Sequence, residues 1–243
     1  MAAVTPLLQT HGLSRLFGGL TAVDKVDFTL PEGEIRALIG PNGAGKTTFV
    51  SMLCGRIPAS AGQVFFQGED VTRLPAHQRI RRGMAYTFQI TSVFANLSVY
   101  ENVELAVQRS QSGSATREKV METLGRVGLA GHAARTAGDL AYGHQRLLEI
   151  AMGLGQRPRL LILDEPTQGL SDAEIEGFIA LVRDVAREAT VLLIEHNIPV
   201  VMALASRITV MNLGHILAEG SPAEIHADAA VQAAYLGGGN GDA

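Results

Sequence analysis

A glycine-rich segment that carries a lysine and a threonine directly follows a short apolar run. Its residues match the pattern G-x-x-x-x-G-K-[ST], in which glycines let backbone N–H groups wrap a phosphate without Cβ clashes. The helix that begins there adds the positive end of its dipole, the lysine reaches the β- and γ-phosphates, and the threonine hydroxyl suits Mg²⁺. The segment therefore predicts a nucleotide-phosphate site, made of Gly40, Pro41, Asn42, Gly43, Ala44, Gly45, Lys46 and Thr47.

Two adjacent carboxylates end another apolar run. Residues 160–163 predict a buried strand, and Asp164, Glu165 and Pro166 follow it. Ligands of doubly wound sheets bind beyond the carboxyl ends of the strands, so we expect both acids to face the phosphate loop. Asp164 suits Mg²⁺ coordination, directly or through a water, and Glu165 suits polarising a water for in-line attack on the γ-phosphate. The alternative is an ordinary strand that Pro166 ends.

Three positions are ambiguous when each is taken alone. His196 comes just after the predicted strand 191–194, where a polar residue is common, and Gln89 follows residues 84–88 without further signal. Phe17 precedes two glycines. It is either a core aromatic or a ring that lies flat on adenine, a contact worth about 1–3 kcal/mol.

The elements that must position these residues alternate between strand and helix patterns. Near-continuous apolar runs at Ile35–Ile39, 160–163 and 191–194 predict strands buried on both faces, hence a parallel sheet covered by helices. Arg207–Asn212 and residues 215–219 predict a late hairpin.

Helix starts are recognisable from serines placed three residues before a glutamate. Ser98, Ser171 and Ser221 have this capping-box spacing. Strand signals vanish between residues 97 and 156, where apolar residues at helical spacing predict three helices. We therefore expect a single domain over residues 1–243, with a helical subdomain at about 90–158 inserted in an α/β core.

The amino-acid composition narrows the class of protein. The 243 residues are 47% hydrophobic, which is enough for one large α/β domain. The 20 basic against 24 acidic residues and the lack of tryptophan disfavour a nucleic-acid partner. One cysteine, no apolar run of about 18 residues and no secretory pattern at the N-terminus predict a chain of a reducing, intracellular compartment.

Taken in order, these motifs resemble the ATP-binding subunit of ABC transporters over essentially the whole chain. The correspondence covers an aromatic A-loop, Walker A, a Q-loop, a signature segment, Walker B with the adjoining catalytic glutamate, a D-loop and an H-loop. The matching positions are Phe17, residues 40–47, Gln89, residues 140–144, residues 160–164, Glu165, residues 169–172 and His196. Within the family, the chain looks most like the branched-chain amino-acid importers, at residues 17–24, 140–145, 193–196 and 234–237. Urea and amide importers have similar sequences.

The resemblance implies a fold and a composite site. The fold is a P-loop NTPase core with a mainly parallel sheet flanked by helices, an N-terminal antiparallel β portion and a helical signature subdomain. ATP and Mg²⁺ are held by the phosphate loop, with Thr48, and by the signature of a second subunit, either a paralogue or a copy. That signature comprises Leu140, Ala141, Tyr142, Gly143 and His144. Thr47, Gln89 and Asp164 are the implied metal residues, and His196 holds the γ-phosphate or the attacking water.

The resemblance also implies partners and a location. Two integral-membrane permease subunits would dock by a coupling helix on residues 90–97, and a periplasmic or surface solute-binding protein would act indirectly. The chain would be cytoplasmic, on the inner face of the membrane, and ATP hydrolysis would energise import of branched-chain amino acids or related solutes. Two alternatives stay open: a soluble ABC-type ATPase of DNA repair or ribosomes, and an exporter or lipopolysaccharide-type cassette.

Four positions differ from the usual sequence motifs of the family. The signature has Ala141, Tyr142 and His144 where the family usually has Ser, Gly and Gln, and the D-loop has Ser171 in place of Asp. Ala141 has no hydroxyl to donate to a γ-phosphate, although Ala-Tyr at these places also occurs in the branched-chain group.

Overall fold

The computed structural model describes residues 6–87, 92–108 and 114–236. The chain divides into two compact units: residues 1–82 with 190–243 form the first, and residues 83–189 form the second. The predicted helical insert at about 90–158 lies inside the second unit, which also contains strands and a further helix.

The strands of the described residues are β1 (Pro6–Phe17), β2 (Leu20–Pro31), β3 (Ile35–Ile39), β4 (Ala61–Phe66), β5 (Glu69–Asp70), β6 (Met84–Tyr86), β7 (Leu160–Asp164), β8 (Thr190–Ile194), β9 (Arg207–Asn212) and β10 (His215–Gly220). The α-helices of the same residues are α1 (Lys46–Leu53), α2 (Ala76–Arg81), α3 (Val99–Val107), α4 (Ser114–Arg126), α5 (Tyr142–Gly155), α6 (Asp172–Val185), α7 (Ile198–Leu204), α8 (Pro222–Ala227) and α9 (Ala229–Leu236).

The first unit contains the predicted parallel strands that flank the phosphate loop. Strand β3 pairs in parallel with β8 on one side and with β9 on the other, and β10 returns antiparallel to β9. Helices α7, α8 and α9 cover β3 and β9 through an apolar cluster, because these strands present side chains on both faces. The strands predicted at Ile35–Ile39 and 191–194 are confirmed, and so is the hairpin of β9 and β10. Strands β8 and β10 are each one residue longer than predicted.

An antiparallel sheet, in the order β2-β1-β4-β5, completes the first unit. Along β2 the buried residues Val26, Phe28 and Leu30 alternate with exposed ones, as expected of a strand with one face on the core. The Phe28 ring meets the Phe49 ring of α1 edge to face, with centroids 5.6 Å apart. This sheet is the N-terminal antiparallel β portion that the family resemblance implied.

The second unit holds the predicted helices. Helices α3, α4 and α5 fall where the apolar spacing placed them, and β6 pairs in parallel with β7. Ser98 and Ser171 begin α3 and α6 with capping boxes, as Ser221 does for α8 in the first unit. The 14-residue helices α5 and α6 are too short to cross a bilayer, and no other described helix has the length and apolar character to do so.

Candidate functional site

The phosphate loop joins β3 to α1, and two of its glycines are required by their surroundings. Gly40 has φ +150°, and a Cβ there would overlap with the carbonyl oxygen of Met211. Gly45 has φ +99°, and a Cβ there would overlap with the carbonyl oxygen of Ala22. The loop therefore keeps its course only with glycine at both positions, because an L side chain would collide with neighbouring backbone.

The interior of the loop presents cationic and hydroxyl groups at the start of a helix. The Lys46 ammonium donates to the carbonyl oxygens of Gly40 and Pro41 at 2.6 and 3.0 Å. Thr47 is exposed in the first turn of α1, and Thr48 beside it is half-buried. Gly45, the N-cap residue, has no side chain to cap the N–H groups of that turn. A cation and uncapped N–H groups at a helix N-terminus form an anion site.

The turn of the hairpin between β9 and β10 is hydrogen-bonded to the phosphate loop. Gly214 donates its N–H to the carbonyl oxygen of Ala44 at 3.0 Å, and its own carbonyl accepts the N–H of Asp24 at 2.9 Å. Sequence analysis predicted the hairpin without predicting this contact. The sequence feature that could have pointed to this contact is the Leu213-Gly214 turn, in which both residues have positive φ.

Tyr235 of α9 is a second support that sequence analysis missed. Burial raises the pKa of the Tyr235 phenol above its ordinary value of 10.0, while a smaller opposing effect comes from a hydrogen bond with the backbone of Gly40. The C-terminal helix thus touches the first residue of the phosphate loop.

His196 lies at the same sheet edge as the phosphate loop. The parallel register aligns Leu38 of β3 with Ile194 of β8, so the residues after both strands emerge on one side. His196 is exposed there. The buried carboxylate of Glu195 accepts the N–H groups of His196 and Asn197 at 3.0 and 3.1 Å and fixes the backbone of the turn. Sequence analysis did not assign this role to Glu195.

Phe17 ends β1 at a tight turn into β2, and its side chain is 44% exposed. The Arg15 guanidinium lies 4.5 Å from the centroid of the Phe17 ring. Phe17 is therefore an exposed aromatic and not a core residue, which favours the stacking interpretation over the alternative.

In the second unit, Asp164 is buried at the end of β7. Its carboxylate accepts the Tyr86 hydroxyl at 2.6 Å. Glu165, the next residue, is half-buried and has φ +48°. A non-glycine residue in the left-handed region costs of order 1–3 kcal/mol, and such strain concentrates at functional sites.

The signature segment opens α5 and packs against α6. A Cβ on Gly143 would lie 2.5 Å from the Glu174 carboxylate, so a larger residue there would require the Glu174 side chain to shift. A Cβ on Gly169 of the D-loop would lie 2.9 Å from the ring of Tyr142. The bulky Tyr142 is thus accommodated by a D-loop glycine while its ring stays partly exposed. Leu140 is buried and Ala141 exposed.

The Glu174 carboxylate and the imidazoles of His144 and His132 lie close to the signature. Hydrogen bonds from the backbone N–H and the hydroxyl of Ser171 lower the pKa of Glu174, with a smaller contribution from His144. The His144 ring lies 5.0 Å from that of His132. His144 therefore has a carboxylate and a second histidine as neighbours in the place where the family usually has glutamine.

Oxygen donors predicted for magnesium are present in each unit. Thr47 offers an exposed hydroxyl and Asp164 a carboxylate, the ligand types that Mg²⁺ prefers. Across the described ranges no group of three or more His, Cys, Asp or Glu could hold a metal ion by itself. Gln89, the remaining predicted metal residue, lies outside the described residues.

A glycine-rich loop between a buried parallel strand and a helix, with a histidine at the same sheet edge, defines a P-loop nucleotide-binding cassette. Residues 23–168 match the family model described as ABC transporter, and residues 215–240 match the model described as branched-chain amino acid ATP-binding cassette transporter. The chain belongs to the ABC transporter family and is one of its ATP-hydrolysing subunits. The predicted family and fold class are confirmed.

Individual relatives cover nearly all of the chain. The high-affinity branched-chain amino acid transport ATP-binding protein BraF of Pseudomonas aeruginosa is 38% identical over 96% of this chain and 98% of its own length. The lipopolysaccharide export system ATP-binding protein LptB of Escherichia coli is 36% identical over 95% of this chain and 97% of its own. The ADP conformation of MJ1267, an ATP-binding cassette of an ABC transporter, superposes with a TM-score of 0.85 at 26% identity, over 96% of this chain and 99% of that one.

Proposed function

We propose that this chain is the ATPase subunit that energises a multi-subunit importer of branched-chain amino acids or related small solutes. The observation that carries the solute class is the match of residues 215–240 to the branched-chain family model, at the end of the chain where Tyr235 reaches Gly40. The 38% identity to BraF over nearly the full length supports the same class.

In this proposal the predicted residues divide nucleotide binding, metal binding and catalysis among them, with Lys46 and Gln89 also counted among the catalytic residues. Lys46, Thr48 and the loop N–H groups bind the phosphates, and Phe17 stacks on the adenine. Thr47, Asp164 and Gln89 hold Mg²⁺, which when bound neutralises phosphate charge and orients the γ-phosphate. Glu165 polarises the attacking water, and His196 holds the γ-phosphate or that water. The set is completed by the signature of a second subunit, its Leu140, Ala141, Tyr142, Gly143 and His144.

The partners follow from the same proposal. Two integral-membrane permeases hold the chain at the cytoplasmic face of the membrane, and a solute-binding protein outside delivers the solute. The second cassette is a paralogue or a copy. The 36% identity to LptB supports an exporter or lipid-transport cassette as the second candidate. A soluble ABC-type ATPase has no specific observation in its favour.

The nucleotide chemistry is tested with two variants. Lys46→Ala should abolish ATP binding measured by calorimetry, while Lys119→Ala, at a half-buried lysine of α4 that pairs with Glu122, should leave it unchanged. Glu165→Gln should bind ATP, lose turnover and trap a closed dimer on size-exclusion chromatography, whereas the exposed Glu176→Gln should not. Unchanged affinity in Lys46→Ala, or full turnover in Glu165→Gln, would remove the assigned roles.

The solute class is tested in the assembled transporter. The chain is co-expressed with candidate permease subunits from the same organism, purified in detergent and reconstituted into vesicles with a candidate solute-binding protein. ATP-driven uptake of leucine, isoleucine or valine supports the proposal. Uptake of urea or amides alone moves it to the related importer group, and extraction of lipid without any uptake supports the exporter alternative.

A further inference from the structure

Residues 92–97, called here the docking segment, are the described part of the surface on which the proposed permease helix would dock. The inference below therefore rests on the proposed function. Phe94 is 53% exposed at the middle of this segment, and Ala95 and Asn96 beside it are exposed. An exposed aromatic binds a partner better when the backbone that carries it is already fixed, because less conformational freedom is lost on binding. Two buried polar side chains hold this backbone.

Glu149 of α5 is the first of them. Its side chain is almost buried, with 6% of the residue exposed, and its Oε1 accepts the N–H of Ser92 at 2.8 Å. Its Oε2 accepts a hydrogen bond from the buried Arg146 guanidinium at 3.1 Å. A buried carboxylate is tolerated only when it is paired and hydrogen-bonded, so this arrangement ties the start of the docking segment firmly to α5.

Asn102 of α3 is the second. It is fully buried (0% exposed), and its Oδ1 accepts the N–H of Phe94 at 2.8 Å. Its Nδ2 donates to the carbonyl oxygens of Phe94 and Ser98 at 3.1 and 2.9 Å. One side chain therefore pairs both backbone groups of Phe94, as a strand partner would.

The end of the docking segment is held by the chain that leads into the signature. The carbonyl oxygens of Ala95 and Leu97 accept the N–H groups of Gly138 and Ala137, each at 2.9 Å. With Glu149 and Asn102, these bonds fix the backbone of the docking segment on three sides.

The same helix connects the docking segment to the signature. Tyr142 of the signature lies two turns before Glu149 in α5, about 10 Å along the axis. Between them, the Arg146 guanidinium lies 5.6 Å from the centroid of the Tyr142 ring and donates to Glu149. A continuous series of contacts thus runs from Tyr142 through Arg146 and Glu149 to the backbone of Ser92.

We propose that Glu149 and Asn102 are positioning residues: they lock the docking segment to α5 and α3, and the permease stimulates ATP hydrolysis only when this lock is intact. Neither residue touches nucleotide in this proposal. Their removal should therefore uncouple the permease from the ATPase while leaving the ATP site of the isolated subunit intact.

The experiment compares isolated and permease-bound ATPase rates. Glu149→Leu removes both acceptors and Asn102→Ala removes all three hydrogen bonds, whereas Glu149→Gln keeps an oxygen for the Ser92 N–H. Thr123→Val is the matched control, because Thr123 is an equally buried polar residue whose hydroxyl donates to the Lys119 carbonyl oxygen of its own helix α4, at 2.8 Å. We expect Glu149→Leu and Asn102→Ala to lose about tenfold of the permease-stimulated rate, with Kd for ATP and basal rate kept. Glu149→Gln should retain most of the stimulation and Thr123→Val all of it.

Each result has a defined meaning. Full permease stimulation in both Glu149→Leu and Asn102→Ala overturns the inference, and so does an equal loss in Thr123→Val. If both variants fail to fold, amide exchange in the wild-type complex decides: protection of Ser92 and Phe94 like that of α3 and α5 supports the lock, and rapid exchange overturns it. A wild-type chain that neither co-purifies with permease nor responds to it instead overturns the proposed function, whatever the variants do.

Discussion

The hydroxyl of Tyr86 donates a 2.6 Å hydrogen bond to the buried carboxylate of Asp164. The parallel pairing of β6 with β7 aligns Tyr86 with Ile162, so the tyrosine comes from the neighbouring strand and reaches the residue two positions further along. Short bonds to a charged acceptor are stronger than neutral ones. Tyr86 therefore fixes the orientation of the carboxylate to which we assign Mg²⁺ binding.

Tyr86→Phe should destabilise the protein and impair its use of magnesium. Removing the donor leaves a buried carboxylate with one partner fewer, at a cost of about 1–3 kcal/mol in the free energy of unfolding. Urea denaturation measures the stability, and ATPase rates across a magnesium titration measure the function, with a rightward shift expected. Tyr100→Phe is the control: its hydroxyl makes a 3.4 Å bond to Glu104 on α3, and we expect a change below about 0.5 kcal/mol. Equal behaviour of the two variants would contradict the role of Tyr86.

Phe17→Ala should weaken ATP binding through loss of adenine stacking. A stacked base is worth about 1–3 kcal/mol, or roughly 5- to 150-fold in Kd. Phe17→Tyr should bind like the wild type, and affinity for tripolyphosphate, which has no base, should be unchanged in both. Leu20→Ala alters the exposed residue paired with Phe17 across the turn and serves as the control. Equal loss of tripolyphosphate binding in Phe17→Ala would show that the loop has moved and that stacking is not the cause.

The sequence predicted the parts of this structure that local patterns specify. Buried strands such as Ile35–Ile39 have nearly uninterrupted apolar residues, and the serine-to-glutamate spacing at Ser98, Ser171 and Ser221 located three helix starts. The glycine pattern of residues 40–47 identified the phosphate loop because its backbone course allows few alternatives. Such signals are short-range, so they can be read without the fold.

The supporting contacts could not be predicted in this way. Tyr86 and Asp164 are 78 residues apart in the chain, and Glu149 and Ser92 are 57 apart. Only strand pairing and helix packing bring such residues together, and a lone tyrosine or glutamate carries no local signal of its partner. The placement of Asp164 and Glu165 towards the phosphate loop concerns both units and stays a prediction.

Gly45→Ala should destabilise the protein much more than Gly43→Ala. Both glycines have left-handed φ values, +99° and +77°, so an alanine costs about 1–2 kcal/mol at either position. A Cβ at Gly43 has open space around it, whereas at Gly45 it would overlap with the carbonyl oxygen of Ala22, which adds about 1–3 kcal/mol. Urea denaturation without nucleotide measures the difference free of any effect on binding. Equal destabilisation of the two variants would mean that the backbone of β2 shifts at little energetic cost and does not constrain the phosphate loop.

Acid should weaken the helix starts at Ser98, Ser171 and Ser221. Hydrogen bonds from these serines lower the pKa values of Glu101, Glu174 and Glu224 below their ordinary value of 4.5. Because the unfolded chain then binds protons more readily than the folded one, this stabilisation is complete above pH 4.5 and is lost as the pH falls through the lowered values.

Carboxylate titration by NMR tests this prediction directly. The wild-type Glu174 should titrate below 4.5, and Ser171→Ala should return its pKa part of the way towards that value, because the hydroxyl donor is lost while the backbone N–H donor remains. Glu224 at the start of α8 is the internal control, since its own serine is intact and its pKa should stay lowered in the variant. Titration of wild-type Glu174 at its ordinary value would contradict the capping box, and with it the fixed carboxylate that packs against Gly143 of the signature.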